Sequence, residues 1–99
     1  MRVVLSAAAT ADLTVIGDYI AKDSPGRAVS FVQNMRTAAM RLGEMPEAFP
    51  LVPRYARQGI RRYLHRNYLV FYHIEADRVV IIRVLHGARD YESVLCPDC

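Results

Sequence analysis

The stretch GIRRYLHRNYLVFYHIEADRVVIIRVLHGARD, residues 59–90, decides the fold. It holds two long runs rich in Val, Ile, Tyr and Phe, Tyr68–Glu75 and Arg78–His86, separated only by Ala76 and Asp77, and so predicts a β-hairpin. A shorter strand, residues 60–65, precedes them. Arg66 and Asn67 make the turn between, with Asn67 expected to tolerate the positive φ such a turn needs. The result is an antiparallel meander. In its last run Val80, Ile82, Val84 and His86 alternate with Val79, Ile81, Arg83 and Leu85, so both faces are apolar. A sheet with one wet face would show a polar residue at every second position. Both faces of this one need a cover.

The first cover lies upstream. Residues 2–5, Arg-Val-Val-Leu, form a short strand most easily placed at an edge of the sheet. From Ser6, a plausible N-cap, Ala9, Leu13, Ile16 and Ile20 recur at helical spacing while Asp12, Thr14 and Asp18 lie elsewhere. That helix ends near Asp23, and Ser24-Pro25 supplies an N-cap with proline at the first position of a second helix. Its apolar positions Ala28, Phe31, Val32, Met35, Ala38, Ala39 and Leu42 share one face, and Gly43 followed by Met45-Pro46 ends it. So short a connection predicts an antiparallel helix hairpin lying along one sheet face. Residues 45–59, with Pro46, Pro50 and Pro53, read as a surface loop in which Phe49 and Leu51 tuck inward. Only Val94 and Leu95 remain in the chain to cover part of the second face, which leaves room for a partner.

At 99 residues the chain is one domain, residues 1–99, with residues 91–99 expected to be a flexible tail. A hydrophobic fraction of 53% is high for this size and again points to a protein partner. No apolar run approaches the ~20 residues of a membrane span, and no secretory signal is visible, so the expectation is a cytoplasmic protein with no membrane contact. The formal charge is +3, and Lys22 is the only lysine. Arg54, Arg57, Arg61, Arg62 and Arg66 fall between Pro53 and Asn67 with no acid among them. That run is either a solvated strand edge and loop or a docking surface for an acidic partner or nucleic acid. Cys96 and Cys99, a C-x-x-C at the terminus, lack the further ligands of a zinc site and the helix start of a redox motif. No phosphate loop, Ser-His-Asp set or metal-spaced carboxylate pair is present, so neither cofactor nor metal is expected.

The order of elements, together with ADLTVIGDYI (11–20), PGRAVSFV (25–32), LGEMPEAFP (42–50), GIRRYL (59–64), NYLVFYHI (67–74) and RVLHGARD (83–90), resembles toxins of the RelE/ParE superfamily, closest to the ParE branch. The likeness spans residues 3–91. It implies an α+β fold with an N-terminal edge strand and a two-helix antiparallel hairpin packed on one face of an antiparallel meander. It implies the toxin of a type II toxin–antitoxin pair, neutralised by a ParD-like antitoxin that wraps it, with operator DNA contacted only through that antitoxin. ParE-like members act on DNA gyrase without being enzymes, whereas RelE-like members cut messenger RNA on the ribosome. A third possibility is a former toxin that survives as a binding and autoregulatory module.

RNA cleavage needs a base for the 2′-hydroxyl, an acid for the leaving oxygen and cations for the charge on phosphate. The candidates are His65, His73, His86, Tyr91, Arg61, Arg83 and Arg89, with His86, Tyr91, Arg61 and Arg89 the set expected of a nuclease. The late tyrosine of RelE-like enzymes falls near Leu95 here, and their common lysines are missing, which favours the gyrase reading. Arg83 sits in an apolar row and needs a partner, whether Asp90, Glu75, another internal carboxylate or an acidic protein. His86 reads as a packed histidine beside Ile82 and Val84. Arg54, Arg57, Arg61, Arg62, Arg83 and Arg89 are the expected partner-binding residues.

Overall fold

The computed structural model describes residues 1–87 and Leu95. Strand β1 (Arg2–Leu5) leads into helices α1 (Ala7–Ala21) and α2 (Pro25–Met40). Strands β2 (Arg61–His65), β3 (Tyr68–Glu75) and β4 (Arg78–His86) follow. The sheet order is β1-β4-β3-β2, with β1 parallel to β4 and the other pairs antiparallel. The expected edge strand, helix hairpin and meander are all present.

The caps act as the sequence requires. Ser6 Oγ accepts from the Ala9 amide at 3.0 Å, and Ser24 Oγ accepts from the Arg27 amide at 3.3 Å, each satisfying a donor the first helical turn leaves open. The hairpin buries Ala9, Leu13, Ile16, Met35 and Ala39 against Val70, Tyr72, Val79, Ile81 and Val84 of the sheet. A short 3₁₀ turn, Arg41–Gly43, follows α2 and passes beneath the chain start. A Cβ added at Gly43 would come within 2.1 Å of the Met1 carbonyl oxygen, so only glycine lets the two segments approach.

Three expectations need correction. The loop is not merely a surface crossing: Val52, Tyr55 and Ile60 are buried with Leu69, Phe71 and Leu85 on the second sheet face, while Leu51 is 39% exposed. The chain itself supplies much of the cover that seemed left for a partner, because a 3₁₀ turn, Pro53–Gln58, folds its proline-bounded segment back onto the sheet. Leu95 packs against the same cluster, as its apolar character suggested.

The turn between β2 and β3 takes its positive φ at Arg66 (55°), not Asn67, and the next one takes it at Ala76 (56°). In both, the first residue of a two-residue connection carries the conformation.

The third correction concerns side-chain alternation in β4. Phe71 faces Arg83 and Tyr72 faces Ile81, so Ile82 is an extra residue with no counterpart on β3. This bulge shifts the alternation by one. Val79, Ile81 and Val84 therefore share the helix-side core, whereas Ile82 and Leu85 join the other cluster. His86 stays on the side of Val84 but parts company with Ile82.

Candidate partner and target interface

The outer edge of β4 explains where Arg83 goes. β1 ends opposite Ile81, after which the Ser6 amide donates to the Ile81 carbonyl at 2.9 Å and the Ser6 hydroxyl donates to the Ile82 carbonyl at 2.8 Å. One step further, the Val84 amide donates to Asp12 Oδ2 at 2.9 Å. Arg83 grips the same carboxylate with Nε at 2.7 Å and an Nη at 2.8 Å, a bidentate pair. Asp12 hydrogen bonding is the first reason the Arg83 guanidinium is held even more firmly protonated, with desolvation opposing it. The partner is thus another internal carboxylate, Asp12, while Glu75 meets His73 and Arg78 instead. Helical periodicity set Asp12 off the buried stripe, and nothing in a single sequence signals the bulge that brings it a partner.

Arg61 is also occupied. Its Nη1 donates to the Phe49 carbonyl at 2.6 Å and to the Glu47 carbonyl at 3.2 Å. Tyr72, beside it, donates its hydroxyl to the Pro46 carbonyl at 2.9 Å, and burial pushes that phenol above its ordinary pKa. Together they hold residues 46–49, and Phe49 lies 4.7 Å from the Tyr63 ring.

The remaining arginines of the basic run are exposed. Arg54 and Arg57 lie on the 3₁₀ turn, Arg66 on the turn after β2, and Arg62 stands in register with Phe71 on the face that the 3₁₀ turn covers. Arg54, Arg57 and Arg62 therefore belong to one side of the molecule. Arg89, Tyr91, Asp90, Cys96 and Cys99 lie outside the described residues.

His65 and His86 both stand in register with Tyr68, one on either side of it, whereas His73 lies further along β3 beside Glu75. His86 meets Tyr68 edge to face at 5.4 Å, and Tyr68 is its register partner, while the partner of Arg61 is Tyr72. His86 and Arg61 are therefore about 13 Å apart along the strands and a further ~10 Å across them. Acid–base work on one phosphodiester demands groups within hydrogen-bond reach of the same atoms. His73 bonds Glu75 at 3.2 Å, and this bond, followed by Arg78 at 3.1 Å, holds the Glu75 carboxyl below its usual pKa. His65 has a buried Nε2 without a hydrogen-bond partner, and burial first, then Arg66, lowers its pKa. Among the described residues no three His, Cys, Asp or Glu side chains gather as metal ligands, and no helix is long and apolar enough to cross a membrane.

This chain is similar to known toxins along most of its length. Toxin RelE2 of Caulobacter vibrioides is 35% identical over 88 residues, covering 89% of this chain and 97% of its own. The solved chromosomal ParDE TA system from P. aeruginosa contains a chain of the same fold, with a TM-score of 0.72 at 22% identity over 87% of this chain and 95% of that one. Residues 3–91 match the family described as ParE toxin of type II toxin-antitoxin system, parDE. With its strand, helix hairpin and meander in that order, the chain belongs to the ParE toxin family of the RelE/ParE superfamily.

Proposed function

We propose that this toxin is a non-catalytic inhibitor of DNA gyrase, neutralised by a ParD-like antitoxin in the cytoplasm and touching operator DNA only through that antitoxin. The observation that carries the reading is the use made of its cations. Arg61 and Arg83 are committed to internal oxygen acceptors, and His86 stands far from Arg61, whereas Arg57 and Arg62 are displayed on one exposed side. Inhibition by binding needs such a displayed surface and no proton-transferring group. Arg54, Arg57, Arg62 and Arg89 are the direct contacts in this reading, with Arg61 and Arg83 acting by holding the loop and the bulge. An acidic antitoxin segment would associate fast and with strong salt dependence, burying more than about 1,000 Å² in the complex.

Ribosome-dependent mRNA cleavage is the second reading, favoured by the name of the 35% identical relative, Toxin RelE2. Two assays on freshly induced cells separate them: gyrase-linked DNA breakage and mRNA cleavage at the ribosomal A-site. The expected result is DNA breakage and a damage response before translation falls, with toxicity kept in His86→Gln and Tyr91→Phe. Prompt mRNA cleavage without breaks, lost on either substitution, would replace this proposal with the nuclease. Loss of a proton-transferring group costs about 10²–10⁴-fold in rate, so the two outcomes do not overlap.

A further inference from the structure

A cleft of about 750 Å³ lies between the first half of α2 and the turn joining β2 to β3. We propose that it binds the phosphate of a nucleotide, free or at the end of a nucleic-acid strand. The volume is that of an ordinary small-molecule site. Arg27, Ser30, Phe31 and Asn34 recur at helical spacing, so one stripe of α2 forms a wall, and Arg66 and Asn67 form the opposite one.

Among the described residues no carboxylate lines this cleft. Elsewhere Arg61 is held by carbonyls, Arg78 by Glu75 and Arg83 by Asp12. Neither the Arg27 nor the Arg66 guanidinium has a hydrogen-bond or ion-pair partner among the described residues. Two like charges facing one cleft repel each other when it is empty, and an anion between them removes that cost. The donor supply also identifies the anion. A carboxylate has two oxygens to satisfy, whereas two guanidinium forks, the Ser30 hydroxyl and the amides of Asn34 and Asn67 match the three terminal oxygens of a phosphate monoester.

The floor suits the rest of a nucleotide. Ile20, Phe31 and Tyr68 are half-buried there, the two rings edge to face at 5.3 Å, giving a sugar or base an apolar surface. Burial, with Tyr19 second, raises the Tyr68 pKa, so its hydroxyl stays a neutral donor. The site is separate from the side carrying Arg54, Arg57 and Arg62, and it stands whichever target the toxin has.

The test is an NMR titration of the isotope-labelled full chain with AMP, adenosine, a 5′-phosphorylated thymidine trimer and a hexaglutamate peptide. AMP should shift the amides of Arg27, Ser30, Asn34 and Asn67 saturably, and adenosine should not. Arg27→Gln and Arg66→Gln should each weaken AMP about tenfold, while Arg36→Gln, an exposed change on the same helix, should leave it unchanged. Tighter binding of the trimer than of AMP would identify a strand end as the natural ligand, and the reverse order a free nucleotide. Ser30→Glu puts a carboxylate at an exposed position of the wall and should abolish binding with an unaltered thermal melt. Equal binding of adenosine and AMP, peptide binding as tight as AMP, equal weakening by Arg36→Gln, or binding retained in Ser30→Glu would each overturn the proposal.

Discussion

Asp12 satisfies three donors with one carboxylate, two from Arg83 and the amide of Val84. Its side chain is only 12% exposed and that of Arg83 24%, so solvent screens the pair weakly. Asp12→Ala should cost about 3 kcal/mol in urea denaturation, since it strands a half-buried guanidinium and a backbone donor together. Asp12→Asn should cost less, and Asp12→Ala combined with Arg83→Met should recover part of the loss. A single substitution within ~0.5 kcal/mol of the parent would remove Asp12 from the account of the bulge. His65 gives a pH dependence of definite sign. Its pKa is lowered in the folded chain, so the neutral ring is favoured there. The corresponding stability is present above the unfolded value, about 6.5, and is lost as pH falls through the folded value. His65→Phe should flatten the thermal midpoint between pH 7 and 5, roughly the window of histidine titration. An unchanged slope would assign the acid sensitivity to other groups. Neither residue announced itself in the sequence: Asp12 sat off the buried helical stripe, and His65 was one candidate base among three.

At the level of elements, the 3₁₀ turn Pro53–Gln58 does what a second layer of helices does in larger sheets. Tyr55, 2% exposed, is its anchor on the second face. Tyr55→Ala should destabilise by about 3 kcal/mol or more and raise binding of a hydrophobic dye, as the cover loosens over Phe71 and Leu85. An unchanged dye signal with lost stability would mean that the turn stays docked without its anchor. Gly59 ends the turn at φ 72°, with open space where a Cβ would go. Gly59→Ala should therefore cost about 1–2 kcal/mol from backbone conformation alone, measured by chemical denaturation. The helix hairpin and the meander were legible because their signals are local: caps at Ser6 and Ser24, helical spacing, strand runs split by two residues. The loop's role was not, since Pro46, Pro50 and Pro53 mark a turn-rich segment whether it lies on solvent or on a sheet. Likewise the residue type favoured at positive φ named Asn67, and the register placed Arg66 there instead.

For the molecule as a whole, the resemblance carried the fold and the family further than periodicity did, while the pairing of Arg83 and the cleft beside Arg27 depended on contacts between distant segments. The same distance bears on how the protein comes into being. β4 lies between β1 and β3, and Ser6 meets Ile82 across 76 residues of chain. A ribosome adds residues at about 5–20 per second and releases them in order, so β1, both helices, β2 and β3 exist before the strand they share. Until Arg78 and its successors emerge, the helix hairpin lacks the central part of the surface it packs on, and β1 has no strand to pair with. A fragment ending at residue 77 should show no protected helix amides in hydrogen exchange, whereas one ending at residue 87 should protect them. Synthesis itself then acts as a timer: the sheet closes only as β4 slides into the gap kept open for it between β1 and β3.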